Sequence, residues 1–227
     1  MCRVDYRLED YNRNMETIKS PAEQRVVLHN ISWNTYERLL ADHENNSAPR
    51  FTYDRGELEI MSPSPEHEKL NRRIAQLVLA VAEELNIEAE DLGSTTFRRE
   101  DLERGFEPDS CFYIQNEEQV RGKDRIDLAV DPPPDLVIEI NITSPSFSKF
   151  PIYAQIGVPE VWRYDGERMT ILVLEGSDYA ERTESIVLPP VTSNVLTDFV
   201  EKSKSMKRTA WLEVVREWSR ENSGSSS

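Results

Sequence analysis

PDLVIEINITSPSFSKFPIYAQIGVPEVWRYD, residues Pro134 to Asp165, is the stretch whose reading decides the fold. It reads as a buried strand, a Ser/Pro turn, a short helix and a second strand. Side chains alternate along a strand, so Leu136, Ile138, Ile140 and Ile142 share one face while Asp135, Val137, Glu139 and Asn141 share the other. Glu139 then stands mid-strand among Val and Ile, where a carboxylate is costly unless it is paired or bound to a cation. Ser148 is a suitable N-cap, with Lys149, Phe150 and Pro151 in the first helical turn, where proline is tolerated. Phe150, Tyr153, Ala154 and Gly157 give that helix one packed face. Gly157 ends it, and Val158–Tyr164 returns as a strand.

The rest of the chain bounds what such a unit can belong to. Its 227 residues suffice for one core of moderate size with appended elements. The formal net charge of −15 argues against global attraction to nucleic acid or to anionic membrane. Two cysteines, Cys2 and Cys111, do not make a disulfide scaffold, so a reducing compartment is expected. The N-terminus lacks an apolar signal region and no apolar run is long enough to span a bilayer, which reads as cytoplasmic.

Upstream, residues 1–25 read as a polar arm and Val26–Leu28 as a short strand. Ser32 caps a helix carrying Trp33, Tyr36, Leu39 and Leu40, which Asn45-Asn46-Ser47 breaks. Phe51–Tyr53 and Glu57–Met61 flank Asp54-Arg55-Gly56 as a hairpin. Glu66–Leu85 is the clearest helix, with Ser64 as N-cap, Pro65 in the first position and a stripe of Leu70, Ile74, Leu77, Val78, Val81 and Leu85. Glu66 lies one turn before Leu70, so an acid is expected to point inward; stabilisation of the helix dipole is the plainer account. Glu88–Phe97 and Asp109–Ile114 read as strands joined by the loop Arg98–Phe106, and residues 115–131 as a polar connection. Met169–Leu174 and Ser185–Leu188 read as antiparallel strands, and Leu196–Val200 and Thr209–Trp218 as helices. One domain over 26–200, a C-terminal helix over 201–220 and a disordered tail at 221–227 complete the expectation. The core is expected to be a mixed sheet from Glu88 to Leu174 with the Glu66–Leu85 helix packed on it.

Three acids and a lysine carry the chemistry: Glu66, Asp109, Glu139 and Lys149. Carboxylate oxygens suit Mg²⁺ or Mn²⁺, which position phosphates and activate water, and a nearby lysine stabilises developing charge. The competing account is three unrelated salt-bridged acids. The scattered His29, His43 and His67 exclude the paired-histidine spacing of a metalloprotease.

PDLVIEINITSPS followed by Lys149 and YAQIGVPEVWRYD resembles the Uma-two family of restriction endonucleases, placed in the PD-(D/E)XK nuclease superfamily. GSTTFRREDLERGFEPDSCFYI at 93–114 and SPEHEKLNRRI at 64–74 match it too. The resemblance covers about Val26 to Leu188 and implies an α/β (α+β) restriction-endonuclease-like core, a mixed central sheet flanked by helices. It implies Asp109 as the acid of the PD element, Glu139 as the second acid and Glu66 as the acid of the first core helix, all three as ligands of Mg²⁺ or Mn²⁺. The superfamily lysine belongs two residues after the second acid, where this chain has Asn141; Lys149, at the start of the next helix, is read as its migrated replacement. The implied activity is metal-dependent hydrolysis of phosphodiester bonds, with DNA as partner, no membrane and room for a homodimer. The residues themselves do not distinguish DNA from RNA. Arg72, Arg73, Arg98, Arg99 and Arg104 are the candidate basic surface. The alternative is a catalytically degenerate nuclease-fold interaction module, which Asn141 and the acidity favour.

Overall fold

The computed structural model describes residues 23–44, 46, 48–142 and 147–223. Its first half contains β1 (Gln24–Leu28), α1 (Trp33–Asp42), β2 (Arg50–Asp54), β3 (Glu57–Ser62), α2 (Pro65–Glu84), β4 (Glu90–Gly93), β5 (Phe97–Arg99), β6 (Arg104–Phe106), β7 (Ser110–Tyr113) and α3 (Glu117–Val120). There follow β8 (Leu136–Ile140), α4 (Phe150–Ile156), β9 (Glu160–Tyr164), β10 (Met169–Glu175), β11 (Asp178–Arg182), α5 (Ser193–Ser205) and α6 (Arg208–Asn222).

β8, α4 and β9 are the strand–helix–strand unit expected from Pro134–Asp165, and the two strands pair in parallel from Leu136↔Glu160 to Ile140↔Tyr164. They sit centrally in a six-stranded mixed sheet ordered β11-β10-β9-β8-β7-β4. The alternation along β8 separates two apolar layers. Leu136, Ile138 and Ile140 pack with Ile74, Val78 and Val81 of α2 and with Trp211 of α6. Val137 faces the other way, with Phe97, Phe106, Ile152 and Tyr153. Burying each of these side chains contributes about 1.5–3 kcal/mol, so the β8 pattern alone fixes its register against α2.

The upstream strands do not extend this sheet. They form a second, five-stranded sheet ordered β1-β3-β2-β6-β5. One strand over Glu88–Phe97 is therefore corrected to two. β4 pairs with β7 and β5 with β6, and the chain changes sheet after Gly93, whose φ of 56° favours glycine. The partner of β10 is β11, not Ser185–Leu188. The latter segment is tied to a buried carboxylate instead: Ser185 Oγ and the Ile186 N–H donate to Glu160 at 2.6 and 2.7 Å.

Ser64 caps α2, accepting from the His67 N–H at 3.1 Å, with Pro65 in the first turn. Ser148 does not cap α4: Lys149 holds the cap position, with no side-chain cap bond. α5 runs across the expected boundary at residue 200, and α5 and α6 supply core residues to the α2 layer, so the C-terminal helices are part of the domain. α6 continues to Asn222. The expected arm through residue 22, the breaker residues Asn45 and Ser47, the turn at 143–146 and the tail at 224–227 lie outside the described residues. Among the described residues no helix is long and apolar enough to cross a membrane.

Candidate active site

The central strands bring two acids together. β7 and β8 are antiparallel, with Ser110 opposite Ile138. Asp109 stands one residue before that pair and Glu139 one residue after it, so the two face one another on the same side of the sheet. Asp109 is 1% exposed, Glu139 4% and Lys149 7%. Carboxylates at that depth require compensation from their neighbours.

The Asp109 carboxylate receives the Ile140 N–H on Oδ2 at 2.7 Å, and the His67 Nε2 lies 3.2 Å from the same oxygen. Its Oδ1 is held by the Arg50 guanidinium, which also reaches Glu68. Asn71 ties down the backbone, donating from Nδ2 to the Asp109 carbonyl at 2.7 Å and accepting from Ser110 Oγ at 2.9 Å. Glu139 accepts from Lys149 Nζ at 3.1 Å and from the Tyr153 hydroxyl. Lys149 also donates to the Glu107 carbonyl at 3.2 Å, bridging β8 to the segment that leads into β7. Lys149 is thus buried within the acids' network rather than solvated at a helix start.

The environment drives the two carboxyls apart. Burial pushes Asp109 up, but the hydrogen bond and charge of His67 and the charges of Lys149 and Arg50 outweigh it and hold the carboxyl well below the usual range. For Glu139 burial wins. Lys149 opposes it, the Asp109 charge adds to it, and the net displacement is upward. Burial pulls the His67 imidazole down, yet its bond to Asp109 and that acid's charge raise it overall. The pair thus holds a firmly ionised acid beside one of raised affinity for a proton.

Glu66 does not join them. It is exposed, and His67 takes the inward position. The inward stripe of α2, traced back from Val78 through Ile74, Leu70 and Asn71, reaches position 67 rather than 66. That stripe was the signal for His67. Tyr153 was legible as one turn beyond Lys149, although only as a packing residue. Arg50 gave no signal, since nothing local marks an arginine before Phe51 as buried.

The arginines mostly serve the fold. Arg104 is buried on Asp54 and the Pro151 carbonyl, Arg98 pairs with Glu37, Arg99 pairs with Asp101, and Arg73 lies over the Trp211 ring at 5.5 Å. Arg72, exposed, lines a cavity of about 260 Å³ together with Arg50, Glu68, Asn71 and Asp109. This cavity is the approach to the buried acid. Among the described residues no group of three or more His, Cys, Asp or Glu is placed to hold a metal ion. Asp109 and Glu139 are a two-carboxylate oxygen donor set, suited to a hard cation that keeps several of its own waters.

A family model described as "Uma2: Putative restriction endonuclease" matches residues 33–202. Among solved structures, a "putative nuclease belonging to DUF820" from Anabaena variabilis is similar with a TM-score of 0.50 and 16% identity, covering 75% of this chain and 99% of that one. At that identity the likeness is one of fold. The curated proteins give no match.

Proposed function

The chain belongs to the Uma2 family, and on that premise we propose that it is a metal-dependent nuclease that hydrolyses phosphodiester bonds, with DNA as substrate. The observation that carries this reading is the convergence of Asp109 and Glu139 across β7 and β8, with Lys149 bonded to Glu139. Asp109 and Glu139 would hold Mg²⁺ or Mn²⁺, with Glu66 left out. When bound, such an ion polarises a phosphate and lowers the pKa of a coordinated water. Lys149 then serves as the fixed positive group beside the reacting phosphate. It takes the place of the lysine missing at Asn141, and its two bonds hold the ammonium in place without reorganisation. Tyr153 orients Glu139, while His67 and the Ile140 N–H orient Asp109. DNA approach runs against the net charge, and exposed Arg72 at the cavity is the local attraction.

The test is cleavage of supercoiled, linear duplex and single-stranded DNA, and of RNA, with Mg²⁺ or Mn²⁺. Cleavage of DNA that drops at least about a hundredfold in Asp109→Asn and in Glu139→Gln is expected. Wild-type protein that cuts no substrate, or variants that cut equally well, would refute the reading. A second reading, an interaction module on a nuclease fold, draws on both carboxylates being bonded to the protein's own donors. It predicts binding of a partner without cleavage.

A further inference from the structure

Asp109 is closed by three donors of unequal mobility. The Ile140 N–H belongs to the backbone of β8 and cannot leave. His67, in the first turn of α2, is fully buried. Arg50 differs: it lines the 260 Å³ cavity that leads to Asp109, and its guanidinium is already divided between Asp109 and Glu68. Glu68 is partly exposed, with 36% of its side chain accessible. Among the described residues the buried Arg50 Nε–H has no hydrogen-bond partner, so the arginine's own donors are not fully satisfied there. A second cation beside Asp109 would meet this guanidinium at close range in a medium of low dielectric, where like charges repel strongly.

We propose that Arg50 is the displaceable counter-ion of Asp109, and that a divalent cation enters the site by driving the guanidinium off Asp109 and onto Glu68. This rests on the reading of Asp109 and Glu139 as the metal-holding acids. It makes metal uptake competitive with an internal ion pair, so the free protein binds Mg²⁺ or Mn²⁺ weakly. Arg50 then leaves Asp109 with its charge still at the cavity wall, beside Arg72, where a phosphate would enter.

The experiment is calorimetric titration of Mn²⁺ into the full chain, comparing wild type with Arg50→Gln, Asp109→Asn and the double variant. Arg50→Gln should bind Mn²⁺ about tenfold more tightly than wild type, within the usual range for linked competing ligands. The gain should vanish in the double variant. Equal or weaker binding by Arg50→Gln, with wild-type binding abolished in Asp109→Asn, would overturn the role of Arg50 and leave the metal site standing. Binding that is absent throughout, or indifferent to Asp109→Asn, would remove the metal site and the role of Arg50 with it. Should Arg50→Gln not fold, Arg50→Lys decides. It keeps the charge but loses the planar fork that spans both acids, so it should tighten Mn²⁺ binding about threefold. Unchanged or weaker binding there overturns the proposal.

Discussion

Replacing Lys149 with methionine keeps most of its volume and removes its charge. Glu139 would then remain buried with the Tyr153 hydroxyl but without its cation. Left ionised, a buried carboxylate stripped of its partner costs about 3–5 kcal/mol. It can escape that penalty by taking up a proton, at a cost of about 1.4 kcal/mol for each pH unit above the unfolded pKa near 4.3. At pH 7.5 this escape costs about 4 kcal/mol, so it gives little relief, whereas at pH 5 it limits the penalty to about 1 kcal/mol. The sign follows from the upward displacement of Glu139: the folded state binds the proton more tightly, so stability falls as pH rises from the unfolded toward the folded pKa. Removing Lys149 lengthens that decline. Urea unfolding followed by circular dichroism should show a loss of about 3–4 kcal/mol at pH 7.5, roughly 6–15 °C in Tm, shrinking to about 1 kcal/mol at pH 5. Adding Glu139→Gln should restore more than half of the loss at pH 7.5. A Lys149→Met variant that loses less than about 1 kcal/mol at both pH values would show that Lys149 is not the counter-ion of Glu139.

Gly105→Ala places a Cβ 2.8 and 2.9 Å from Cζ and Cε1 of the fully buried Tyr36, so a loss of about 1–3 kcal/mol is expected in urea unfolding. An unperturbed midpoint would mean that β6 yields freely. Glu160, raised mainly by burial, makes stability decline as pH climbs from about 4.3 toward its higher folded pKa, and Glu160→Gln should flatten that part of the stability–pH profile. An unchanged slope would contradict it. Asp109 is displaced downward, so its stability is present above about pH 3.9 and is lost as pH falls toward its lower folded pKa. In metal-free protein Asp109→Asn should therefore weaken folding at neutral pH and reduce the steepness of acid unfolding below pH 4; an equally steep acid limb would exclude Asp109 as its source.

The fold was legible where one periodicity ran unbroken. Leu136, Ile138 and Ile140 against Val137 and Glu139 specify a strand buried on both sides. The spacing from Leu70 to Val81 specifies the helix that covers one of them. Legibility failed where short segments had to choose a sheet. β5 and β6 have three residues each, too few to carry a pattern, and their place beside β2 is set by pairing across long sequence separations. Ser185–Leu188 carried an apolar alternation suited to a strand, but its donors go to Glu160, to the Val191 carbonyl and to Ser185 Oγ rather than to a neighbouring strand.

The site divides along the same line. Glu139 and Lys149 could be found because a charge interrupting a buried pattern, or placed against a helix dipole, requires a local reason, whereas Asp109, opening its strand after Pro108, was marked by the family resemblance. Their partners carry no such mark. His67 stood one residue from a more conspicuous acid, and a difference of 100° around α2 decides which of the two points inward. Arg50 is brought to Asp109 by β2, fifty-nine residues upstream and in the other sheet. An isolated acid in a strand advertises its own energetic cost, but the group that offsets that cost is chosen by the topology. In this protein those topological partners decide which carboxyl holds a proton more tightly. The cations grouped around Asp109 hold it charged, while at Glu139 burial outweighs the pull of Lys149 and Asp109 repels it, so it keeps the higher affinity for a proton. A positive ion placed between them would relieve that repulsion, and the guanidinium of Arg50 already stands on the Asp109 side of it.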